Sequence, residues 1–258
     1  LGSAATVASA GPRYFGFVTG GTLPAALAAN VLSGAWDQNA LFHVASPPAA
    51  CIEEVCRRWL AELFGLPPDA GIGFVTGATM ANFSALAAAR HALLSRLGWD
   101  VEARGLFGAP PIAVIVGAEV HVSVLKALSL LGLGRERVVR VPVDGQGRMR
   151  PEAIPTLSAP AIICIQAGNV NTGAFDPTGE ICAIAQASDS WVHVDGAFGL
   201  WAAACPDRAP LAAGIASAHS WATDAHKWLN VPYDSGIVFT ADPQHLKASM
   251  SSRAAYLI

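Results

Sequence analysis

Residues 191–195 read Trp-Val-His-Val-Asp, and residues 220–228 read Ser-Trp-Ala-Thr-Asp-Ala-His-Lys-Trp. The first stretch is an apolar run that ends in an aspartate, which is the pattern of a buried strand with a polar side chain at its end. The second stretch places a histidine and a lysine after another short strand-like run. We therefore expect Asp195 and Lys227 to follow two strands, 32 residues apart in sequence (227 − 195).

Apolar strand-like runs alternate with helical patterns along most of the chain. Because several of the strand-like runs are apolar throughout, we predict an α/β fold with a mostly parallel central sheet flanked by helices. The predicted strands cover residues 73–76, 111–116, 137–141, 161–166, 191–195, 217–223 and 235–240. The predicted helices cover residues 24–33, 50–64, 80–97, 121–131, 150–157 and 177–187.

The composition argues against several classes of protein. The 258 residues are 53% hydrophobic and 14% charged, with a net charge of −3 and no basic block, so neither a nucleic-acid nor a membrane-surface role is expected. No window reaches about 18 uninterrupted apolar residues, so we expect no transmembrane helix. The N-terminus lacks a signal-peptide pattern. The apolar excess favours a surface that is partly covered by another subunit.

Five cysteines are present, and their spacing fits no zinc site. We expect all of them to be reduced packing residues in a cytoplasmic protein, without a metal. They are Cys51, Cys56, Cys164, Cys182 and Cys205.

A turn of small residues joins the predicted strand 73–76 to the long helix that follows. Residues 76–79 read Thr-Gly-Ala-Thr, and small side chains allow backbone N–H groups at a helix start to approach an anion. Thr79 adds a hydroxyl donor. A simple tight turn explains the same letters, and neither the P-loop nor the dinucleotide-binding pattern is present. The turn is therefore a candidate phosphate site only in combination with other features.

Two histidines have alternative interpretations. His121 opens a predicted helix, where it either stacks on a flat ligand ring or caps the helix. His193 lies two residues before Asp195 and on the same strand face, so a metal-binding pair is one reading, although no third ligand suggests itself. Asp195 itself either pairs with a positively charged partner or forms a structural salt bridge, because a buried carboxylate is costly when unpaired.

Lys227 alone would be interpreted as a surface lysine. Together with the anion turn, His121 and Asp195, however, it completes a set of groups that lie at successive strand ends, where open parallel sheets bind ligands. A lysine amine forms a Schiff base with an aldehyde, and a carboxylate keeps a pyridine nitrogen protonated. The combination predicts a site for pyridoxal 5'-phosphate.

Five motifs also carry a resemblance to a known family. They are Thr-Gly-Ala-Thr-Met-Ala-Asn-Phe-Ser-Ala-Leu at 76–86, His121, Gly-Asn-Val-Asn-Thr-Gly-Ala-Phe-Asp at 168–176, His-Val-Asp-Gly-Ala at 193–197 and Asp-Ala-His-Lys-Trp at 224–228. With these motifs the chain resembles the group II pyridoxal-phosphate decarboxylases, which include the aromatic amino acid, histidine and glutamate decarboxylases. The resemblance spans most of the chain and implies the three-layer, aminotransferase-like large domain of fold type I.

The resemblance implies a role for each matching residue. Lys227 would be the Schiff-base lysine and Asp195 the partner of the pyridine nitrogen. His121 and Ala197 would pack on opposite faces of the ring. Other cofactor contacts would come from Ala78 and Thr79 at the phosphate, His226 beside the phosphate and ring, Asn169 or Asn171 near the ring hydroxyl, and Ser220 near the phosphate.

The resemblance also implies an activity, which is the decarboxylation of an L-amino acid to an amine and CO2 through a Schiff base at Lys227. The alternatives are another fold-type-I reaction (transamination, carbon–carbon lysis or aldehyde-forming oxidative decarboxylation) and a non-catalytic truncated paralogue. Family members place their active site at a homodimer interface. We expect residues 1–50 to form part of that interface or of the active-site wall, and residues 51–258 to form the cofactor domain, without the family's small C-terminal domain.

One residue departs from the family pattern. Many members carry an asparagine three residues before the lysine, where it helps to bind the phosphate, whereas this chain has Asp224. A carboxylate there would repel a phosphate. We expect either that Asp224 points away from the site or that Thr223 or Ser220 replaces its contact.

Overall fold

The computed structural model describes residues 5–252. Its strands are β1 (Gly71–Val75), β2 (Ala113–Gly117), β3 (Val139–Val141), β4 (Ala161–Gln166), β5 (Trp191–Asp195), β6 (Ser220–Asp224) and β7 (Gly236–Thr240). Its α-helices are α1 (Pro24–Trp36), α2 (Pro47–Phe64), α3 (Ala78–Arg96), α4 (Val101–Arg104), α5 (Val122–Leu130), α6 (Thr178–Ala187) and α7 (Pro243–Met250).

All seven strands form one sheet in the order β1-β7-β6-β5-β4-β2-β3. Strand β7 runs antiparallel to both of its neighbours, and the other strands are parallel to one another. The predicted α/β fold with a mostly parallel sheet is thus confirmed. Because the parallel strands end at one edge, the residues that follow β1, β2, β4, β5 and β6 meet there.

The central strands are buried on both faces, which explains why they read as continuous apolar runs. Every residue of β4, β5, β6 and β7 is buried. Alternate residues of β4 serve different cores: Ile163 and Ile165 pack on one side of the sheet, and Ile162 and Cys164 on the other. The two-residue period of a strand therefore builds two hydrophobic layers from one run of sequence.

Helix α3 lies directly against the sheet because its contacting side chains are small. Ala81 and Ala85 are fully buried against Ala222 of β6 and Val238 of β7. Alanine is also the strongest helix former, so the composition favours the helix and its close approach together. This packing brings the first turn of α3 to the sheet edge at which the parallel strands end.

The structure differs from the sequence prediction in four elements, one of which is the short helix α4, which was not predicted. The predicted helix 150–157 is only a 3₁₀ turn, Pro151–Ala153, because Pro155 favours an extended residue before it and Ile154 is extended. Residues 215–217 also form a 3₁₀ turn, so β6 begins at Ser220 and not at 217. Helix α7 was not predicted, and the Asp242 side chain caps its start.

All five cysteines are unpaired. Burial raises the pKa of the Cys182 thiol to about 11, and it raises that of Cys164 as well. Cys51 is exposed, so the expectation that all five are packing residues is wrong for this one. Within residues 5–252, no helix is both long enough and apolar enough to cross a membrane.

Candidate active site

Two adjoining cavities open at the carboxyl edge of the sheet, and Lys227 lies between them. Both are lined by Phe17, His121, Ala197 and Lys227. The first, which we call the ring cavity, is completed by Val18, Gln166, Gly168, Val170, Asp195 and Phe198. The second, which we call the phosphate cavity, is completed by residues 76–80, Ser123, Asp224, His226, Tyr233 and Asp234. The structure therefore brings most of the predicted site residues into one place.

Asp195 is the last residue of β5 and is only 5% exposed. Its Oδ2 accepts hydrogen bonds from Asn82 Nδ2 at 3.1 Å and from Ser123 Oγ at 3.4 Å. Its Oδ1 accepts one from the backbone N–H of Ala197 at 3.1 Å. Three donors around a buried carboxylate fix its direction.

Lys227 follows β6 by three residues. Its Nζ lies 3.0 Å from Asp224 Oδ2 and 6.0 Å from the centre of the Phe198 ring. The side chain is 20% exposed, so the amine is reachable from the cavities while most of its stem is covered. In this state Asp224 is the ionic partner of the lysine.

Asp224 also occupies the start of α3. Its Oδ1 accepts a hydrogen bond from Ala78 N at 2.6 Å and lies 3.5 Å from His226 Nε2. Neither alternative expected for Asp224 is realised. The carboxylate points into the phosphate cavity and does not turn away. Thr223 is fully buried, with a hydroxyl that has no hydrogen-bond partner in the described part of the chain.

Ser220 lies at the start of β6, at the opposite end of the strand from the cavity. Its hydroxyl bonds Trp191 Nε1 at 2.9 Å and His193 Nδ1 at 2.9 Å. The expectation that Ser220 reaches the phosphate is therefore not supported by the geometry. His193 is fully buried, and its Nε2 bonds Asn82 Oδ1 at 2.8 Å.

Because both ring nitrogens of His193 are already bonded within the protein, the His-x-Asp metal reading is not realised. Burial lowers the pKa of His193 to about 3, so the imidazole is neutral. In residues 5–252, no three His, Cys, Asp or Glu side chains are grouped to hold a metal.

His121 caps a helix, which is one of its alternative interpretations, and its stacking on a ligand ring stays a prediction. Its Nδ1 accepts a hydrogen bond from Ser123 N at 3.3 Å and so caps α5, and it lies 2.8 Å from Ser123 Oγ. The same ring lines both cavities.

The loop after β4 uses Asn169 for its own structure. Asn169 Nδ2 donates to Glu119 Oε2 at 2.8 Å, and its Oδ1 accepts from the backbone N–H groups of Asn171 and Thr172. Asn169 is 2% exposed, and Asn171 is exposed to solvent. Neither side chain lines the cavities, whereas Gln166 of the same region does.

His226 is fixed from two sides at the phosphate cavity. Its Nδ1 accepts a hydrogen bond from Ser235 N at 3.0 Å, and its ring lies 4.4 Å from the Tyr233 ring, centre to centre. Burial, followed by the charge of Asp224, raises the pKa of the Tyr233 hydroxyl. The aromatic pair therefore forms an outer wall of this cavity.

The N-terminal segment lines the ring cavity through Phe17 and Val18. Phe17 and Val18 adopt φ angles of 58° and 55°, which are costly for side chains of this kind. Close by, a Cβ at Gly20 would lie 2.0 Å from the carbonyl oxygen of Lys227, so only glycine allows this approach. The contact ties the segment to the lysine loop.

Sequence reasoning missed Asn82 and Ser123, which hold Asp195. A signal was available for Asn82, because it lies four residues after Ala78 and hence on the same face of α3. Ser123 was hidden, because a serine in the first turn of a helix is common for reasons of helix stability alone.

A family model described as the pyridoxal-dependent decarboxylase conserved domain matches residues 4–258. The chain belongs to this family. The resemblance to the group II decarboxylases is thereby confirmed, and so is the dependence of the family on pyridoxal phosphate.

Relatives within the family differ in the substrates for which they are named. The chain is 31% identical over 255 residues to the human acidic amino acid decarboxylase GADL1, covering 95% of this chain and 48% of that protein. It is 29% identical over 254 residues to an aromatic-L-amino-acid decarboxylase of Bacillus atrophaeus, with 95% and 51% covered. The chain thus spans about half the length of these relatives.

Solved structures of decarboxylases have the same fold. Mouse CSAD superposes with a TM-score of 0.86 at 28% identity, covering 97% of this chain and 54% of that chain. Oryza sativa TDC with PLP and tryptamine gives a TM-score of 0.84 at 26% identity, with 92% and 51% covered. The fold-type-I assignment is confirmed by these similarities.

Proposed function

We propose that the protein decarboxylates an L-amino acid to the corresponding amine with pyridoxal phosphate as cofactor. The observation that carries this proposal is the convergence of Lys227, Asp195 and His121 on one pair of cavities in a chain of the pyridoxal-dependent decarboxylase family. The relatives' names range from acidic to aromatic amino acids. Family membership thus supports the reaction class, and the substrate side chain is left open.

The residues at the ring cavity fit the cofactor. Asp195 lines the cavity that Lys227 also lines, and its carboxylate is held by three donors. An ionised carboxylate in that position holds a proton at the pyridine nitrogen. His121 and Ala197 offer an aromatic surface and a small side chain between which a flat ring packs.

The residues at the phosphate cavity fit the cofactor phosphate, with the exception of Asp224. The start of α3 offers backbone N–H groups and the exposed hydroxyl of Thr79 to an anion. Asp224 already accepts the hydrogen bond of Ala78 N, however. A phosphate must displace this carboxylate or bind beside it on Thr79, with His226 next to it.

When bound, pyridoxal phosphate supplies an electron-poor ring that accepts the electron pair left behind by departing CO2. The protein supplies the positions of the groups around it. Lys227 would hold the cofactor through its Nζ, and the same amine would be available to move a proton to the substrate carbon. Phe17 and Phe198 line the ring cavity on either side of the lysine.

We further propose that the active protein is a cytoplasmic homodimer. The exposed apolar side chains of the N-terminal half favour burial against a second subunit. They include Leu27, Val31, Trp36, Ile52 and Trp59. Residues 1–50 would contribute to the active-site wall or to the interface, and residues 51–258 would bind the cofactor. Unpaired cysteines agree with a reducing compartment.

Isotope-labelled amino acids test the reaction. The complete protein, loaded with pyridoxal phosphate, is incubated with carboxyl-labelled acidic, aromatic and diamino acids, and labelled CO2 is measured beside amine and keto acid. Release of CO2 with equimolar amine supports decarboxylation, whereas a keto acid without CO2 would indicate transamination. Lys227→Ala is the control, and it should lose both the product and the cofactor that borohydride fixes to the wild type.

A further inference from the structure

A chain of buried hydrogen bonds runs from Asp195 into the interior of the sheet. Asn82 bonds Asp195 Oδ2 at 3.1 Å, and His193 bonds Asn82 at 2.8 Å. Ser220 bonds His193 at 2.9 Å, and Trp191 bonds Ser220 at 2.9 Å. We call these residues the buried relay. All five are at most 5% exposed.

The donor and acceptor at each link follow from the ionised state of Asp195. An ionised carboxylate only accepts, so Asn82 must donate through Nδ2 and present its Oδ1 to His193. His193 must then donate from Nε2, which leaves Nδ1 as an acceptor because the ring is neutral. Ser220 donates its hydroxyl proton to that Nδ1 and accepts from Trp191 Nε1, which can only donate.

If the hydrogen bonds of the buried relay ran in the opposite direction, one hydroxyl donor would have no acceptor. A protonated Asp195 would donate to a flipped Asn82, and His193 would then donate from Nδ1 to Ser220. Since Trp191 also donates to Ser220, the Ser220 hydroxyl proton would have no acceptor in the relay. A buried donor without an acceptor is destabilising, because it has lost its hydrogen bonds to water. Trp191 at the far end therefore favours the direction in which Asn82 donates to Asp195.

We propose that Asn82, His193, Ser220 and Trp191 are positioning residues that hold Asn82 as a donor to Asp195 and so keep this carboxylate aimed at the ring nitrogen of the cofactor. This inference rests on the proposed function, because it gives the relay its purpose. It assigns a role to Ser220 and His193, neither of which lines the ring or phosphate cavity. It also predicts that the relay affects the interaction of Asp195 with the ring nitrogen and does not affect the attachment of the cofactor to Lys227.

Two ligands separate that effect from a loss of structure. One is pyridoxal phosphate, and the other is its analogue with a carbon in place of the ring nitrogen. Both carry the aldehyde for Lys227 and the phosphate, but only the first can receive a proton opposite Asp195. Affinities are measured by absorbance titration of the complete protein, and borohydride reduction checks that Lys227 is the attachment point.

Asn82→Leu should weaken binding of pyridoxal phosphate by roughly tenfold or more, the size of one hydrogen bond to a charged group, and leave the analogue within about twofold. Trp191→Phe should also weaken the binding of pyridoxal phosphate relative to that of the analogue. The effect should be smaller, because Trp191 acts through three intervening residues. Trp191→Phe retains an aromatic side chain, so it still tests the inference if Asn82→Leu does not fold. Ser84→Ala is the matched control, since Ser84 is also buried in α3 and its hydroxyl has no partner within residues 5–252.

Equal losses for both ligands would overturn the inference, because they would assign the relay a general structural role. Unchanged affinity for pyridoxal phosphate in both variants would also overturn it. If the wild type fixes neither ligand to Lys227, the proposed function fails and the inference fails with it. These results are distinct, since the analogue tests the lysine independently of Asp195.

Discussion

The two cavities each contain a buried aspartate, but the surroundings of the two carboxylates differ. Asp195 receives three hydrogen bonds, and within residues 5–252 it forms no ion pair. Asp224 receives one backbone hydrogen bond and pairs with the Lys227 amine. The first carboxylate is thus available for the ring nitrogen in the proposed function, whereas the second lies at the helix start where we propose that the phosphate binds.

This difference shows that similar burial does not imply similar roles. Asp195 and Asp224 are 5% and 2% exposed, so burial does not distinguish them. Their partners do, because an ionised carboxylate among neutral donors still attracts a cation, whereas one that neutralises a lysine at a helix start competes with a phosphate. The following experiments test this contrast.

Asp195→Asn should have the largest effect. The amide cannot hold a proton at the ring nitrogen by charge, so decarboxylation should slow by roughly a hundredfold or more, the scale of losing one preorganised electrostatic partner. Steady-state rates of CO2 release measure this loss. Asp207→Asn makes the same chemical change at an exposed position and should leave the rate unchanged. A rate within tenfold of wild type for Asp195→Asn would contradict the role given to this carboxylate.

Gly236→Ala should disturb the phosphate cavity through the backbone. A Cβ at this position would lie 2.4 Å from the Cα of Gly77, so the turn before α3 must shift. We expect a loss of about 1–3 kcal/mol in the free energy of unfolding, measured with urea, together with weaker binding of pyridoxal phosphate. Gly145→Ala is the control, since its Cβ would meet nothing within 4 Å. An unchanged stability for Gly236→Ala would show that the turn can move freely.

Asp224→Asn should act in the direction opposite to Asp195→Asn. Removing the charge at the start of α3 relieves repulsion of the phosphate, so pyridoxal phosphate should bind roughly tenfold more tightly. Pyridoxal, which lacks the phosphate, should bind with little change. Asp234→Asn removes the same charge from the same cavity without the bond to Ala78 and should have a smaller effect. Weaker phosphate binding in Asp224→Asn would mean that the carboxylate supports the site.

His193→Gln should reduce the pH dependence of stability. The pKa of His193 is about 3 in the fold and 6.5 ordinarily, so the unfolded chain binds more protons between these values and stability falls as the pH falls. From pH 7.5 to 6.0 this histidine should account for a loss of about 0.8 kcal/mol. Urea unfolding at the two pH values measures it. His43→Gln removes an exposed imidazole as the control, and an undiminished slope in His193→Gln would refute the assignment.

Much of the fold could be predicted because its signals are local. The apolar runs of β4 and β5 gave both strands their observed limits, and the alanine-rich pattern gave α3 to within two residues. Proline chemistry explains the main error, since Pro155 stops a helix that the pattern of 150–157 suggested. Helix α7 was missed because its apolar face is weak and its start depends on the cap at Asp242.

The site residues also divide into those that local sequence signals could predict and those that they could not. The order and spacing of polar residues after apolar runs were enough to select Asp195, Lys227 and His121, since parallel strands of one sheet end at one edge. The orientation of Asn169 and Ser220 was not accessible, because each side chain chooses among partners that are far away in sequence. Asn169 bonds Glu119, and Ser220 bonds Trp191.

The sequence by itself determined the α/β class, the family and the residues at the strand ends, because periodicity and short motifs are properties of neighbouring residues. The tertiary structure alone decided that Asp224 sits at the start of α3, 146 positions from Ala78, and that Asn82 lies behind Asp195, 113 positions away. Hydrogen bonds of about 3 Å depend on packing between α3 and the sheet, and no local pattern specifies that distance.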